Sequence, residues 1–220
     1  MIAAAAALAL LVGCATAPSG PVGLVSIAGE VTGFPGGGDI DVAAVTWPGP
    51  TSGATGTVRA DPPRLQATFV PLAEMPDAEF EPIEALFASH LDKGGTCDVE
   101  VSNPEARIAT ISGFRGPGSD RLWLQTYDPH EQRQVGDRTY AFVLATERVT
   151  VVGDCEGLGG ARPERFDLDL VRGWNPVAAI LEEVEGSDEG RTLRATEPPV
   201  AEALWWYVEL VKELARPAAR

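Results

Sequence analysis

Few side chains in this chain of 220 residues could carry chemistry: Cys14, Cys97 and Cys155, the histidines His90 and His130, and five tryptophans. A thiol can pair, ligate or accept a lipid, an imidazole can move a proton, and an indole can stack on a ligand. The frames that turn such groups into catalysts do not occur. There is no Gly-x-Ser-x-Gly elbow, no His-Glu-x-x-His pair and no glycine loop ending in Lys-Ser or Lys-Thr to cradle phosphate. His130 falls in Asp128-Pro129-His130-Glu131, a turn sequence. His90 falls in a helix-spaced segment and is expected at the surface or half-buried. Asp39 and Asp41 share one face of a strand, but a calcium site draws on about six to eight oxygens, so they read as solvent-facing carboxylates. These residues imply no metal, no cofactor and no enzyme.

Residues 2–13 form an uncharged apolar run, IAAAAALALLVG. At about 1.5 Å per residue it reaches roughly 18 Å, short of a hydrocarbon core of about 30 Å, which fits the apolar middle of a signal peptide. Leu11-Val12-Gly13-Cys14 resembles the lipobox of bacterial lipoproteins. The resemblance implies a diacylglycerol thioether on Cys14, cleavage before it and acylation of the new amino terminus. Lipid-borne anchoring of this kind is nearly permanent, at about 0.8 kcal/mol per buried CH2. Such signals begin with Lys or Arg, whereas only Met1 precedes the run here, which points to a translation start upstream. Ala15-Thr16 lacks the Asp that signals inner-membrane retention in proteobacterial lipoproteins, so in a two-membrane envelope the expected address is the outer membrane, on the exported side.

With Cys14 set aside for lipid, Cys97 and Cys155 remain, and in an exported chain they are expected to form a disulfide. Closing that loop would stabilise the fold by about 4 kcal/mol in the chain-entropy account. A net charge of −15 excludes nucleic acid as a partner. It also excludes electrostatic adhesion to anionic lipid, leaving the lipid on Cys14 as the membrane contact.

The elements that would position these residues are mostly β. After the signal peptide (1–13) and a lipidated Pro/Gly/Ser tether (14–21), residues 22–72 alternate as short strands: Val22–Val31, Ile40–Trp47, Gly56–Ala60 and Leu65–Leu72. Gly36-Gly37-Gly38 must turn. With Gly29, Gly33 and Pro35, this stretch resembles the prealbumin-like modules of exported proteins, which implies a rigid spacer or binding surface. Residues 73–95 change period. Phe80, Ile83, Phe87 and Leu91 sit at helical spacing over Asp77–Leu91, a connecting helix, stopped by Gly94-Gly95.

Residues 96–197 return to strands at Cys97–Val101, Arg107–Ser112, Arg121–Tyr127, Thr139–Ala145, Arg148–Val152, Phe166–Val171 and Trp174–Leu181. Gly and Pro loops between them suggest an antiparallel β-sandwich, in one or two small β modules. The order Cys97, Cys155, Gly173-Trp174-Asn175 resembles uncharacterised envelope lipoproteins, a likeness that implies no activity. Residues 198–220 project as a helix. Val200, Leu204, Tyr207, Val208, Val211 and Leu214 share one face, with Glu202, Glu209 and Glu213 opposite, and Pro199 near its start. Trp206 falls among the glutamates, which makes it the candidate contact residue, while Trp174 reads as core. The expected role is a membrane-anchored envelope lipoprotein with a non-catalytic binding or structural β module, meeting an envelope protein or glycan. The alternative is a small-molecule or glycan binder using exposed tryptophans, its mark a pocket lined by several of them.

Overall fold

The computed structural model describes residues 26–45, 50–118, 120–156, 163–183, 189–195, 199 and 201–208. The chain is mainly β, but the expected antiparallel sandwich is replaced by a closed seven-stranded barrel that continues into a second sheet. Four barrel strands come from the first part of the chain: β1 (Ser26–Thr32), β2 (Ile40–Val45), β3 (Pro50–Ala60) and β4 (Pro63–Phe69). The later strands β8 (Gly113–Arg115), β9 (Arg121–Gln125) and β15 (Leu204–Val208) complete the ring. Around it the neighbours run β1, β4, β3, β2, β8, β9, β15 and back to β1.

Period-two alternation decides which side chains fill the barrel. Val42 and Ala44 on β2, Leu65, Ala67 and Phe69 on β4, and Leu122 and Leu124 on β9 all point inward and are buried. The interior is therefore packed core.

The second sheet is built from β5 (Glu81–Pro82), β6 (Cys97–Val101), β7 (Arg107–Ile111), β10 (Arg138–Ala145), β11 (Val149–Cys155), β12 (Glu164–Leu170), β13 (Gly173–Glu183) and β14 (Glu189–Ala195). It joins the barrel where Thr139 and Tyr140 pair with Gln125 and Leu124 of β9, and it runs β10, β13, β14, β12, β11, β6. A separate core lies against it: Val143, Val149, Val151, Phe166, Leu168 and Leu170 under Ile83 and Phe87. Cys97 and Cys155 are joined by a disulfide across directly opposed positions of β6 and β11.

The helix expected over Asp77–Leu91 is shortened to α1 (Ala85–Leu91), preceded by a 3-10 turn at Asp77–Glu79. Two constraints break it. Glu81–Pro82 pairs with Ile108 and Arg107 as a strand. Phe80 is buried in the barrel core, whereas Ile83 and Phe87 are buried in the second, and one helical stripe cannot face two cores.

The C-terminal helix expected over residues 198–220 is contradicted at Leu204–Val208, which is the strand β15. Residues 209–220 lie outside those described. The helical projection put Leu204, Tyr207 and Val208 on one face. As a strand, the segment instead sends Trp205 and Tyr207 into the barrel and Leu204 and Trp206 outward. It fits between β1 and β9, parallel to the first and antiparallel to the second, and so satisfies two strand edges at once. Trp205 packs edge-on to Phe114 at 5.5 Å and stacks on Phe142 at 6.4 Å. It also presses on Gly29 of β1, where a Cβ would come within 2.7 Å of its ring.

Trp205→Ala would open this closure. We expect a loss of about 3–5 kcal/mol, read as a lower midpoint in chemical unfolding, against a loss below about 1 kcal/mol for Trp206→Ala on the outer face.

Candidate functional site

The outer face of the barrel at β9 and β15 collects the residues best suited to contact. Trp206 lies directly opposite Trp123 across the antiparallel pair, and beside Thr32 of β1 on its other flank. Both indoles face away from the barrel core and are half-buried. The next β9–β15 pairs are Leu204 with Gln125 and Val208 with Arg121. Space for Trp123 comes from Gly113 on β8, where a Cβ would lie 2.9 Å from the indole Cδ1. The same Cβ would come still closer to the Leu122 carbonyl oxygen, so a larger residue there would disturb the β8–β9 backbone as well as the ring.

Trp206 was the candidate contact residue, and the structure places it outside the core with Trp123 as its neighbour. The sequence reading missed that pairing, although its signal was present. In Arg121-Leu-Trp-Leu-Gln, alternation puts Trp123 on the face opposite Leu122 and Leu124. Trp205 and Trp174 are core, at 2 % and 4 % exposure. The Trp174 indole N–H donates to the Val70 carbonyl at 2.8 Å. The Trp206 Nε1–H, by contrast, is shielded from solvent and has no acceptor among the described residues. An indole nitrogen is a donor only, so a sheltered one without a partner is costly.

The polar groups around the pair are committed to the fold. Gln125 Nε2 donates to the Tyr127 carbonyl at 2.9 Å, and Arg121 Nη1 donates to the Asp120 carbonyl at 3.3 Å. Burial lowers the Arg121 guanidinium below its ordinary value; repulsion from Arg115 adds to this and Asp120 opposes it. Tyr207 donates its hydroxyl to Asp120. Further round the same outer face lies an open hollow of about 630 Å³ lined by Asp41, Ala43, Thr55, Thr57, Arg115 and Pro117. Its charged groups are also engaged, Asp41 accepting from the Thr57 hydroxyl at 3.2 Å and Arg115 donating to the Gly118 carbonyl at 2.8 and 3.0 Å. Asp39 accepts from the Ala60 N–H at 2.9 Å. The two aspartates are thus spent separately on the β2–β3 hairpin.

The histidines do not meet the tryptophan pair. His130 is exposed in the expected turn, its N–H donating to Asp128 at 2.8 Å. His90 departs from the expectation of a surface or half-buried residue, being 3 % exposed. Its Nε2 lies 3.6 Å from a carboxylate oxygen of Glu164, itself buried on β12. The short α1 turns His90 onto the second sheet beside the disulfide, since Glu164 is opposite Cys155. Cys14 and Trp47 lie outside the described residues. No helix among the described residues is long and apolar enough to cross a membrane.

Comparison of the chain with protein-family models, with curated proteins and with solved structures finds no match.

One titratable contact ties the 3-10 turn to the barrel wall. The Glu79 carboxylate accepts from the Thr51 hydroxyl at 2.7 Å and from the Ser52 hydroxyl at 3.0 Å. The Thr51 bond holds Glu79 below its ordinary value against the opposing effect of burial, with Ser52 assisting. A carboxyl depressed in the folded state stabilises above its unfolded value, and that contribution is lost as pH falls through the folded one. Glu79→Gln is therefore expected to lower stability near neutral pH and to leave it unchanged in acid. Thermal midpoints recorded from neutral pH to below the carboxylate range check this, and a constant difference across that range would refute it.

Proposed function

We propose that this chain is an exported cell-envelope lipoprotein, held by lipid on Cys14, whose barrel is a non-catalytic binding module. The apolar run ending in Leu11-Val12-Gly13-Cys14 supports the anchor. The Cys97–Cys155 disulfide supports an oxidising compartment. The prealbumin-like punctuation of residues 22–72 supports a spacer or binding role for the first strands. Ala15-Thr16 favours the outer membrane where two are present.

The observation that carries binding over a purely structural role is the outward, half-buried Trp123–Trp206 pair. Two adjacent indoles offer flat apolar area with a polar handle. A pyranose ring matches that surface, its C–H face lying flat on an indole. Neutral glycan is therefore the favoured ligand class, with an envelope protein as the other partner class.

Two measurements test the reading. Cys14→Ser should move the protein from the membrane to the soluble fraction and remove the diacylglycerol mass from its amino terminus. A lipid-free mature chain beginning at Met1 would overturn the anchor. Titration with neutral hexose and N-acetylhexosamine oligosaccharides should give saturable binding, weakened about tenfold by Trp206→Ala, with the core intact by near-ultraviolet dichroism. Absence of saturable binding to every glycan in the set would remove that ligand class.

A further inference from the structure

A second surface lies on the other sheet, at β6. Among the described residues β6 is bonded to β11 and to no other strand, so the sheet ends there. The hydrogen-bond phase is fixed at both ends of the pair. The Ser102 N–H donates to the Thr150 carbonyl at 3.1 Å, and the Glu156 N–H donates to the Thr96 carbonyl at 2.9 Å. In an antiparallel ladder the residues between alternate. Asp98 and Glu100 therefore turn their main-chain groups toward β11, while Cys97, Val99 and Val101 turn theirs toward the open side.

The side chains alternate with the same period. Cys97, Val99 and Val101 are half-buried against the second core, and Asp98 and Glu100 are exposed on the outer face. On that outer face the interior strands carry cross-strand ion pairs. Asp154 of β11 is bonded to Arg165 of β12 at 3.0 Å, and Asp169 of β12 is bonded to Arg148 beside β11 at 2.8 Å. Asp98 faces Asp154, a like charge, and Glu100 faces Val152. Neither edge carboxylate has a cationic partner among the described residues. The rows of paired charge stop one strand short.

We infer that β6 is a docking edge for an extended protein segment with Lys or Arg at alternate positions and apolar residues between them. Three features converge on that occupant. The outward N–H and C=O groups of Cys97, Val99 and Val101 would bond its main chain, as in strand addition. Its cations would pair with Asp98 and Glu100 at cross-strand distance. Its apolar side chains would extend the half-exposed row of Val99 and Val101 over the second core. The disulfide fastens β6 to β11, so an otherwise singly paired strand is ordered before a partner arrives. A second copy of this chain fits badly, because its own β6 would set Asp98 and Glu100 against their counterparts.

The test uses the full chain with its disulfide intact and, as probe, a short blocked peptide alternating Lys and Val, with a Glu/Val peptide as control. The Lys/Val peptide should bind saturably and slow amide hydrogen exchange at Cys97, Val99 and Val101. The Glu/Val peptide should not bind. Asp98→Lys with Glu100→Lys, both exposed and outside the cores, should shift the preference by at least about tenfold toward the Glu/Val peptide. Three results would each overturn the inference: no saturable binding, binding that leaves those amides unprotected, or a preference unchanged by the double substitution. The first is also the result expected if the two carboxylates serve only to repel stray strands. None of these readings involves Trp206, so they stand or fall apart from glycan binding.

Discussion

The structure depends on one strand serving two cores. On β10, Tyr140, Phe142 and Leu144 point into the barrel, while Val143 and Ala145 point into the second core. Strand alternation makes this possible and also makes it strict, since a slip of one residue would exchange the two sets. The register is held by an eight-residue pairing with β13, from Arg138 opposite Ile180 to Ala145 opposite Gly173. At the end of that pairing, Asn175 is buried with its side-chain amide fully used. Its Nδ2 donates to the Val143, Val171 and Gly173 carbonyls at 3.2, 2.8 and 2.7 Å, and its Oδ1 accepts from the Val171 N–H at 2.9 Å. A buried amide so completely bonded specifies one arrangement, because any shift leaves polar groups without partners.

Once β10 is shared, its neighbours must be shared too. On β7, Ala109 and Ile111 belong to the barrel core and Ile108 to the other; on β13, Trp174 and Ala178 face one and Val177 the other. This part of the sheet is covered on both faces, which is why the expected sandwich of two facing sheets does not describe the molecule. The same demand shortens the connecting helix. Phe80 and Ile83 are drawn to different cores, and the chain between them crosses from one to the other in extended form at Glu81–Pro82. His90 follows from the remainder, since a helix of fewer than three turns lying on the second sheet buries even its last-turn imidazole against Glu164.

Individual strands were legible because alternation is local. Cys97–Val101 matches β6 to the residue, and the longer strands from Arg107 to Leu181 agree to within about three residues at each end, the expected Arg148–Val152 stopping short of the β11 end at Cys155. The Cys97–Cys155 pairing was legible from the cysteine count together with the expected, exported compartment. What alternation cannot express is which strand neighbours which. Closure of the ring depends on β15 reaching β1 from the far end of the chain, and on β8, three residues long, too short to announce itself. Residues 189–195, lying between Gly and Pro signals, carry Arg, Thr and Glu without a clear apolar face, yet they form β14 by bridging β12 and β13. Partners on both sides supply what propensity does not.

The C-terminal segment shows how a contact residue can be legible for the wrong reason. Six apolar residues there project onto one helical face, and Trp206 is the exception among the glutamates. A single large aromatic on the polar face can mark a binding residue on a helix, or it can mark that the period is two and not 3.6. Leu-Trp-Trp-Tyr-Val favours the second, because aromatic and β-branched residues suit a pleated surface. The strand reading then supplies what the helix reading could not, a reason for each tryptophan. Trp205 closes the barrel over Gly29, and Trp206 is left outside beside Trp123. The same alternation that spends one indole on stability leaves the other available, so Trp206 remains the candidate contact as half of a cross-strand pair.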